Sequence, residues 1–233
     1  MSKVIGIIGG MGPMATADLF VKMVSKTDAD CDQQHAHIII DNNTQVPDRT
    51  AAILSDGADP LPELIGSAKR LEAAGADVLT IACNTAHYFY DGIQQAVKVP
   101  VLHMPRETAK KAAELGYKKC GLLATAGMIK SGIYARAFEE AEIELIVPDA
   151  EGQKAVMKMI YDGVKAGKKQ YDTTDVNAVI QSLKEQGAEC FILGCTELPL
   201  AVDMYGISEV SIDPTSVLAS AALKAAGVPE IKK

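Results

Sequence analysis

The sequence predicts an α/β protein of two similar domains. Each is a four-stranded parallel sheet flanked by helices, and the two are related by pseudo-two-fold symmetry. Three observations carry this. Short β-rich apolar runs alternate with helical stretches, the pattern of parallel α/β layers. Residues 71–85 line up without a gap on residues 183–197, so that Leu71, Gly75, Ala76 and Cys83 fall on Leu183, Gly187, Ala188 and Cys195, and Asp77 on Glu189. The chain has 233 residues, 48% of them hydrophobic, with 5% aromatics and no Trp, so aliphatic side chains must fill the core.

The elements follow in order. Strands are predicted over 3–8, 36–41, 78–82, 101–103, 120–124, 144–147, 190–194 and 209–212. The helices between them are placed over 14–27, 60–74, 88–97, 106–115, 131–140, 151–166, 174–186, 198–204 and 216–226. The first strand ends in Gly9-Gly10-Met11-Gly12-Pro13, which reads as a loop. In both copies of the aligned segment a helix tail and a Gly-Ala turn lead into an apolar run that ends on a cysteine. The repeat extends further: Gly6–Gly12 resembles Gly121–Gly127, and Val101–Pro105 matches Val210–Pro214, at offsets from about 109 to about 115. This is one duplicated α/β unit, too long a period for a solenoid. The N-terminal domain is assigned to 1–104 and the C-terminal domain to 105–212. The final helix, within 213–233, is expected to pack back on the first domain, and the active site to lie in the cleft between the two.

The formal net charge is −7, which argues against nucleic acid and against an anionic membrane surface. No apolar stretch reaches membrane-span length and the N-terminus lacks a signal-peptide pattern, so a cytoplasmic protein is expected. Five cysteines without close pairing argue against a disulfide framework, and no metal-ligand spacing appears.

In open α/β sheets ligands bind beyond the carboxyl ends of the strands, and Cys83 and Cys195 both fall there. A helix N-terminus favours thiolate, and the small polar successors Asn84-Thr85 and Thr196-Glu197 suit caps. Two equivalent thiols on opposite faces of one carbon are what racemisation or epimerisation requires. Cys120 and Cys190, early in strands, read as small buried hydrophobes, and Cys31 as a loop thiol. The glycine-rich loop lacks the full Gly-x-Gly-x-x-Gly pattern, and there is no Walker lysine. No nucleotide or other cofactor and no metal is therefore expected.

Ala82-Cys83-Asn84-Thr85-Ala86-His87, Gly194-Cys195-Thr196-Glu197-Leu198-Pro199 and Gly9-Gly10-Met11-Gly12-Pro13 together resemble the signatures of the pyridoxal-phosphate-independent aspartate/glutamate racemase family, in its aspartate racemase branch. Glutamate racemases typically carry His after the second Cys-Thr, where this chain has Glu197. The resemblance spans nearly the whole chain. It implies Cys83 and Cys195 as catalytic residues, one removing the α-proton as thiolate and the other returning a proton to the opposite face. It implies substrate contact by Arg49, in a loop reading Val46-Pro47-Asp48-Arg49-Thr50, and by Lys165, in Asp162-Gly163-Val164-Lys165; Met11, in the glycine-rich loop, is read as lining the same pocket. The turns at Asn84, Thr85, Thr125, Thr196 and Glu197 offer N–H groups for the α-carboxylate. His87 is read as a residue behind Cys83.

The implied activity is cofactor-independent interconversion of L- and D-aspartate by a homodimer. Alternatives are an acidic amino-acid racemase of other or broad specificity, a related two-cysteine enzyme such as maleate isomerase, arylmalonate decarboxylase or hydantoin racemase, and a non-catalytic small-molecule binding module. A cysteine hydrolase would leave the second cysteine unexplained.

Overall fold

The computed structural model describes residues 2–231, which separate into two compact units, residues 2–107 with 215–231, and residues 108–214. In the first unit the chain runs β1 (Ile5–Gly9), α1 (Pro13–Lys26), β2 (Ile38–Asn42), α2 (Arg49–Leu54), α3 (Leu61–Ala73), β3 (Val78–Ile81) and α4 (Tyr90–Gln95), followed by α5 (Met104–Glu114), which leads into the second unit. The second holds β4 (Lys119–Ala124), α6 (Ala126–Ser131), α7 (Ile133–Glu140), β5 (Glu144–Ile146), α8 (Ala150–Lys158), α9 (Thr174–Glu185), β6 (Cys190–Gly194), α10 (Leu198–Tyr205) and β7 (Ser211–Ile212). The last helix, α11 (Pro214–Ala226), packs in the first unit, where Leu218, Ala219, Ala222 and Leu223 bury against Ile5, Ile7, Leu19 and Met23.

Both sheets are parallel, with orders β2-β1-β3 and β5-β4-β6-β7. The first sheet has three strands where four were expected. The fourth candidate, 101–103, forms one isolated parallel bridge from Val101 to Leu79, fixed by Leu79 N–H to Pro100 O and Leu102 N–H to Leu79 O, both 2.8 Å. It is cut short because α5 starts at Met104, leaving three residues after Pro100.

The duplication is visible in local geometry. Gly75 (φ 96°) and Gly187 (φ 95°) both end a helix in the left-handed region that glycine adopts without a Cβ clash. Around Gly75, its own N–H reaches Glu72 O at 3.0 Å and Ala76 N–H reaches Leu71 O at 3.0 Å. Around Gly187 the same two bonds run to Lys184 O at 2.9 Å and from Ala188 to Leu183 O at 3.0 Å. This is the paired C-capping arrangement that stops a helix and turns the chain into the next strand. The acidic residue two positions on repeats its job as well. Asp77 accepts from Val4 N–H at 2.7 Å at the foot of β1, and Glu189 accepts from Lys118 and Lys119 N–H at 2.7 and 3.1 Å at the foot of β4. Leu71 and Leu183 are buried, each worth roughly 1.5–3 kcal/mol of apolar burial.

Three helices depart from the sequence pattern. α2 lies where the sequence reads as loop; Asp48 caps it by accepting from Ala51 N–H at 2.7 Å. The predicted 131–140 helix is preceded by α6, and the two are separated by Gly132 at φ 67°. The predicted 151–166 helix is α-helical to Lys158 and then winds as a π-turn over Met159–Lys165. Among the described residues no helix is long and apolar enough to cross a membrane.

Candidate active site

Within the first unit, the carboxyl ends of neighbouring strands β1 and β3 deliver the glycine-rich loop and Cys83 to the same place. Ala82 N–H donates to Ile8 O at 2.9 Å, so the strands stay paired up to the residue before the thiol. Met11, Val46 and Cys83 are buried in one apolar cluster. Gly10 (φ 91°) lets the loop pass against the backbone of Asn43: a Cβ there would lie 2.1 Å from the Asn43 carbonyl oxygen. We predict that Gly10→Ala loses roughly 2–4 kcal/mol of stability, because left-handed strain and a backbone collision add. The midpoint of urea unfolding reads this directly; an unchanged midpoint would show that the loop moves aside freely.

Arg49 is the first residue of α2, not a loop residue as read from the sequence, because the Asp48 cap starts the helix there. Its Nη1 donates to Val46 O and Pro47 O at 3.3 and 3.0 Å, and its Nη2 to Met11 O at 3.1 Å. The guanidinium thus ties the glycine-rich loop to the 46–49 segment.

After Cys83 the chain makes a five-residue 3-10 turn (Thr85–Phe89) before α4, where the sequence suggested a direct α-helical start. Asn84 and Thr85 are buried, and Asn84 stands at the N-cap of this turn without a side-chain cap bond. His87 is buried with Nδ1 2.9 Å from Cys83 O and 3.2 Å from Asn84 O. Its Nε2 accepts from Met104 N–H at 3.1 Å, which places the ring proton on Nδ1. Burial holds its pKa down at about 4, against the pull of those carbonyls toward the charged form. His87 is therefore a neutral clamp between the Cys83 turn and the start of α5. It bonds the backbone of Cys83, a role that spacing alone did not show.

In the second unit, Ala124 and Gly194 are register partners, so Thr125 and Cys195 leave adjacent strands at the same level. Thr125 Oγ1 caps α6 by accepting from Met128 N–H at 3.2 Å. Gln153 of α8 braces this corner, donating to Ala124 O at 2.9 Å.

Cys195, Thr196 and Glu197 are all buried. The Cys195 thiol donates to Glu197 Oε2 at 2.9 Å, and Thr196 Oγ1 donates to the same oxygen at 3.2 Å. Lys165, last residue of the π-turn, reaches Glu197 Oε1 at 3.1 Å and lies 5.5 Å over the Tyr161 ring. Burial, then the charge and hydrogen bond of Glu197, push the Cys195 thiol well up. Burial disfavours the Lys165 ammonium, but Glu197 and Cys195 outweigh it and its pKa moves up. The thiolate preference expected from a helix start is thus reversed at Cys195, because burial, and then the carboxylate two residues on, outweigh the weak helix-end field of α10.

Cys120 and Cys190 are fully buried register partners on β4 and β6, hydrogen-bonded to each other, and that bond with burial pushes Cys120 up. Neither lies at the carboxyl end of its strand. Cys31 is exposed.

Comparison with known proteins agrees with this frame. A family model described as Asp/Glu/Hydantoin racemase matches residues 8–222. The broad specificity amino-acid racemase RacX of Bacillus subtilis is 32% identical over 224 residues, covering 92% of this chain and 94% of that protein. The Picrophilus torridus aspartate racemase superposes with a TM-score of 0.84 at 32% identity, covering 98% of this chain and 96% of that one. PH1733, an aspartate racemase homologue from Pyrococcus horikoshii, gives a TM-score of 0.77 at 27% identity, covering 97% and 100%. With strand-end cysteines in both units and a family match spanning nearly its whole length, the chain belongs to the Asp/Glu/hydantoin racemase family and is an isomerase of the amino-acid racemase kind.

Proposed function

We propose that the protein interconverts L- and D-aspartate without a cofactor, Cys83 and Cys195 serving as the two proton carriers. One thiolate takes the α-proton, the Cα–H electron pair passes toward the α-carboxylate, and the other thiol returns a proton to the opposite face. The observation that carries this is the equivalent, buried placement of the two cysteines at the carboxyl ends of β3 and β6. A thiol suits the work because its ordinary pKa, roughly 8.5, lies near working pH.

The α-carbon is a weak acid, so charge growing on the carboxylate needs fixed dipoles. We assign this to backbone N–H groups at Asn84–Thr85, Thr125–Gly127 and Thr196–Glu197, with Met11 lining the pocket. Arg49 and Lys165 supply the cations that a dicarboxylate requires in a chain of net charge −7. A guanidinium already pinned to three backbone carbonyls offers its charge in a fixed orientation. A homodimer in the cytoplasm completes this reading; the exposed Met14, Val21 and Val24 of α1 offer the apolar surface that such an assembly covers.

Broad acidic or general amino-acid specificity is the second reading. It is favoured by RacX, which matches this chain at the same 32% identity as the Picrophilus enzyme. Each enantiomer of aspartate, glutamate, alanine and lysine, incubated with the purified protein in D₂O, separates the two. We expect both aspartate enantiomers to converge on a racemate with deuterium at Cα and no added cofactor, and the other amino acids to turn over at least about tenfold more slowly. Comparable rates across the panel would establish broad specificity, and no exchange on any member would overturn the racemase assignment.

A further inference from the structure

The two thiols are not served alike. In the ungapped alignment of the repeat, Cys83-Asn84-Thr85 falls on Cys195-Thr196-Glu197, so a hydroxyl stands in one half where a carboxylate stands in the other. The buried Glu197 carboxylate accepts from the Cys195 thiol through Oε2 at 2.9 Å and from Lys165 through Oε1 at 3.1 Å. We propose that Glu197 is the positioning residue that exchanges a proton with Cys195, with Lys165 as counter-ion, so that Cys195 rests as a thiol and becomes a base only by handing its proton to Glu197. The proposal rests on the reading of Cys195 as one of the two proton carriers.

The step balances within the cluster. The Sγ–H bond breaks, its electron pair stays on sulfur, and an Oε2–H bond forms. One negative charge moves from carboxylate to sulfur over a single hydrogen bond, while the Lys165 ammonium remains beside it. The buried pocket therefore keeps its net charge, which avoids the cost of creating an isolated ion away from water. The thiolate then takes the proton from Cα. In the opposite direction the same path runs backwards: Cys195 gives its proton to Cα, and Glu197, then protonated, returns its proton to the Cys195 thiolate. Among the described residues, the titratable groups acting on the thiol are Glu197 on its own turn, Lys165 from the π-turn, whose ammonium lies over Tyr161, and Tyr134 from α7.

For a racemase the equilibrium constant is unity, so kcat/KM must change equally in both directions and cannot reveal this asymmetry. A one-base reaction can. Each enantiomer of 3-chloroaspartate, once deprotonated at Cα, expels chloride from Cβ and needs no second proton carrier. We expect Glu197→Gln to slow chloride release about a hundredfold for the enantiomer that Cys195→Ala blocks, and less than about threefold for the other. Glu197→Asp, which keeps a carboxylate, should recover part of the loss. Equal slowing of both enantiomers, or of neither, would overturn the proposal.

A second readout does not depend on the racemase reading. Thiolate absorbance at 240 nm, taken as the difference between each protein and its Cys195→Ala counterpart, follows Cys195 alone. In the parent protein we expect no Cys195 thiolate through pH 9. In Glu197→Gln the carboxylate charge and its hydrogen bond are gone while Lys165 stays, so the titration should move down by at least one pH unit. An unmoved titration would sink the pairing, whatever the protein racemises. Absent turnover with a shifted titration would instead fault the racemase assignment.

Discussion

Cys83→Ala and Cys195→Ala should each lower aspartate racemisation at least about a thousandfold while leaving the fold intact. Positioned proton transfer contributes roughly 10²–10⁴ in rate, and here the lost group has no substitute. Cys83 is 5% and Cys195 7% exposed, so solvent base has little access. Cys120 and Cys190 are spent on each other within the second sheet. Truncating a thiol to a methyl group in a mostly apolar wall leaves a small void, a modest cost beside the catalytic loss. Each single variant should still wash deuterium from D₂O into one enantiomer only, because its remaining thiol can remove and return a proton on one face. Complementary one-sided exchange in the two variants would assign each thiol to its face. Full racemisation in either variant would end the two-base scheme, and loss of all exchange in both would mean that the thiols act only together.

His87→Gln should flatten the pH dependence of stability between pH 6.5 and 4. In the folded protein burial keeps this imidazole neutral down to about pH 4, whereas its ordinary value is 6.5. The unfolded chain therefore binds the extra proton across that window, and stability falls as the pH is lowered through it. The folded pKa is depressed, so the contribution is intact above pH 6.5 and is lost on acidification. At 1.36 kcal/mol per pH unit, the displacement amounts to about 3 kcal/mol. Urea unfolding of both proteins at pH 7 and pH 4.5 gives the difference of differences, from which carboxylate titrations common to both cancel. The variant should also be less stable at pH 7, because it disturbs the bonds to Cys83 O, Asn84 O and Met104 N–H. Parallel pH profiles would show that the ring is not buried neutral.

The repeat was legible because its constraints are local: a glycine at positive φ, an acidic residue at a strand foot and a thiol at a strand end each depend on neighbours within a few positions. Both copies therefore keep the same spacing, and the structure shows the same hydrogen bonds in each. The short α2 was missed because six residues are too few for a helical period to register, although the Asp48 cap was there to be read. The first sheet's fourth strand was overcounted because an apolar triplet looks alike whether a ladder or a helix follows it. The π-turn carrying Lys165 left no mark, since one extra residue per turn does not alter the apolar pattern enough to see.

The sequence by itself determined the α/β class, the duplication, the two strand-end cysteines and the family, because each is written in periodicity and in residue types at fixed short spacings. Only the tertiary structure decided which partners hold the protons at Cys195 and His87. Lys165 and Glu197 lie 32 positions apart in sequence, and Met104 lies 17 positions beyond His87. Folding turns these distant residues into the partners that set each proton, and a field that favours thiolate at an exposed helix start yields, at Cys195, to burial and to a carboxylate 2.9 Å away.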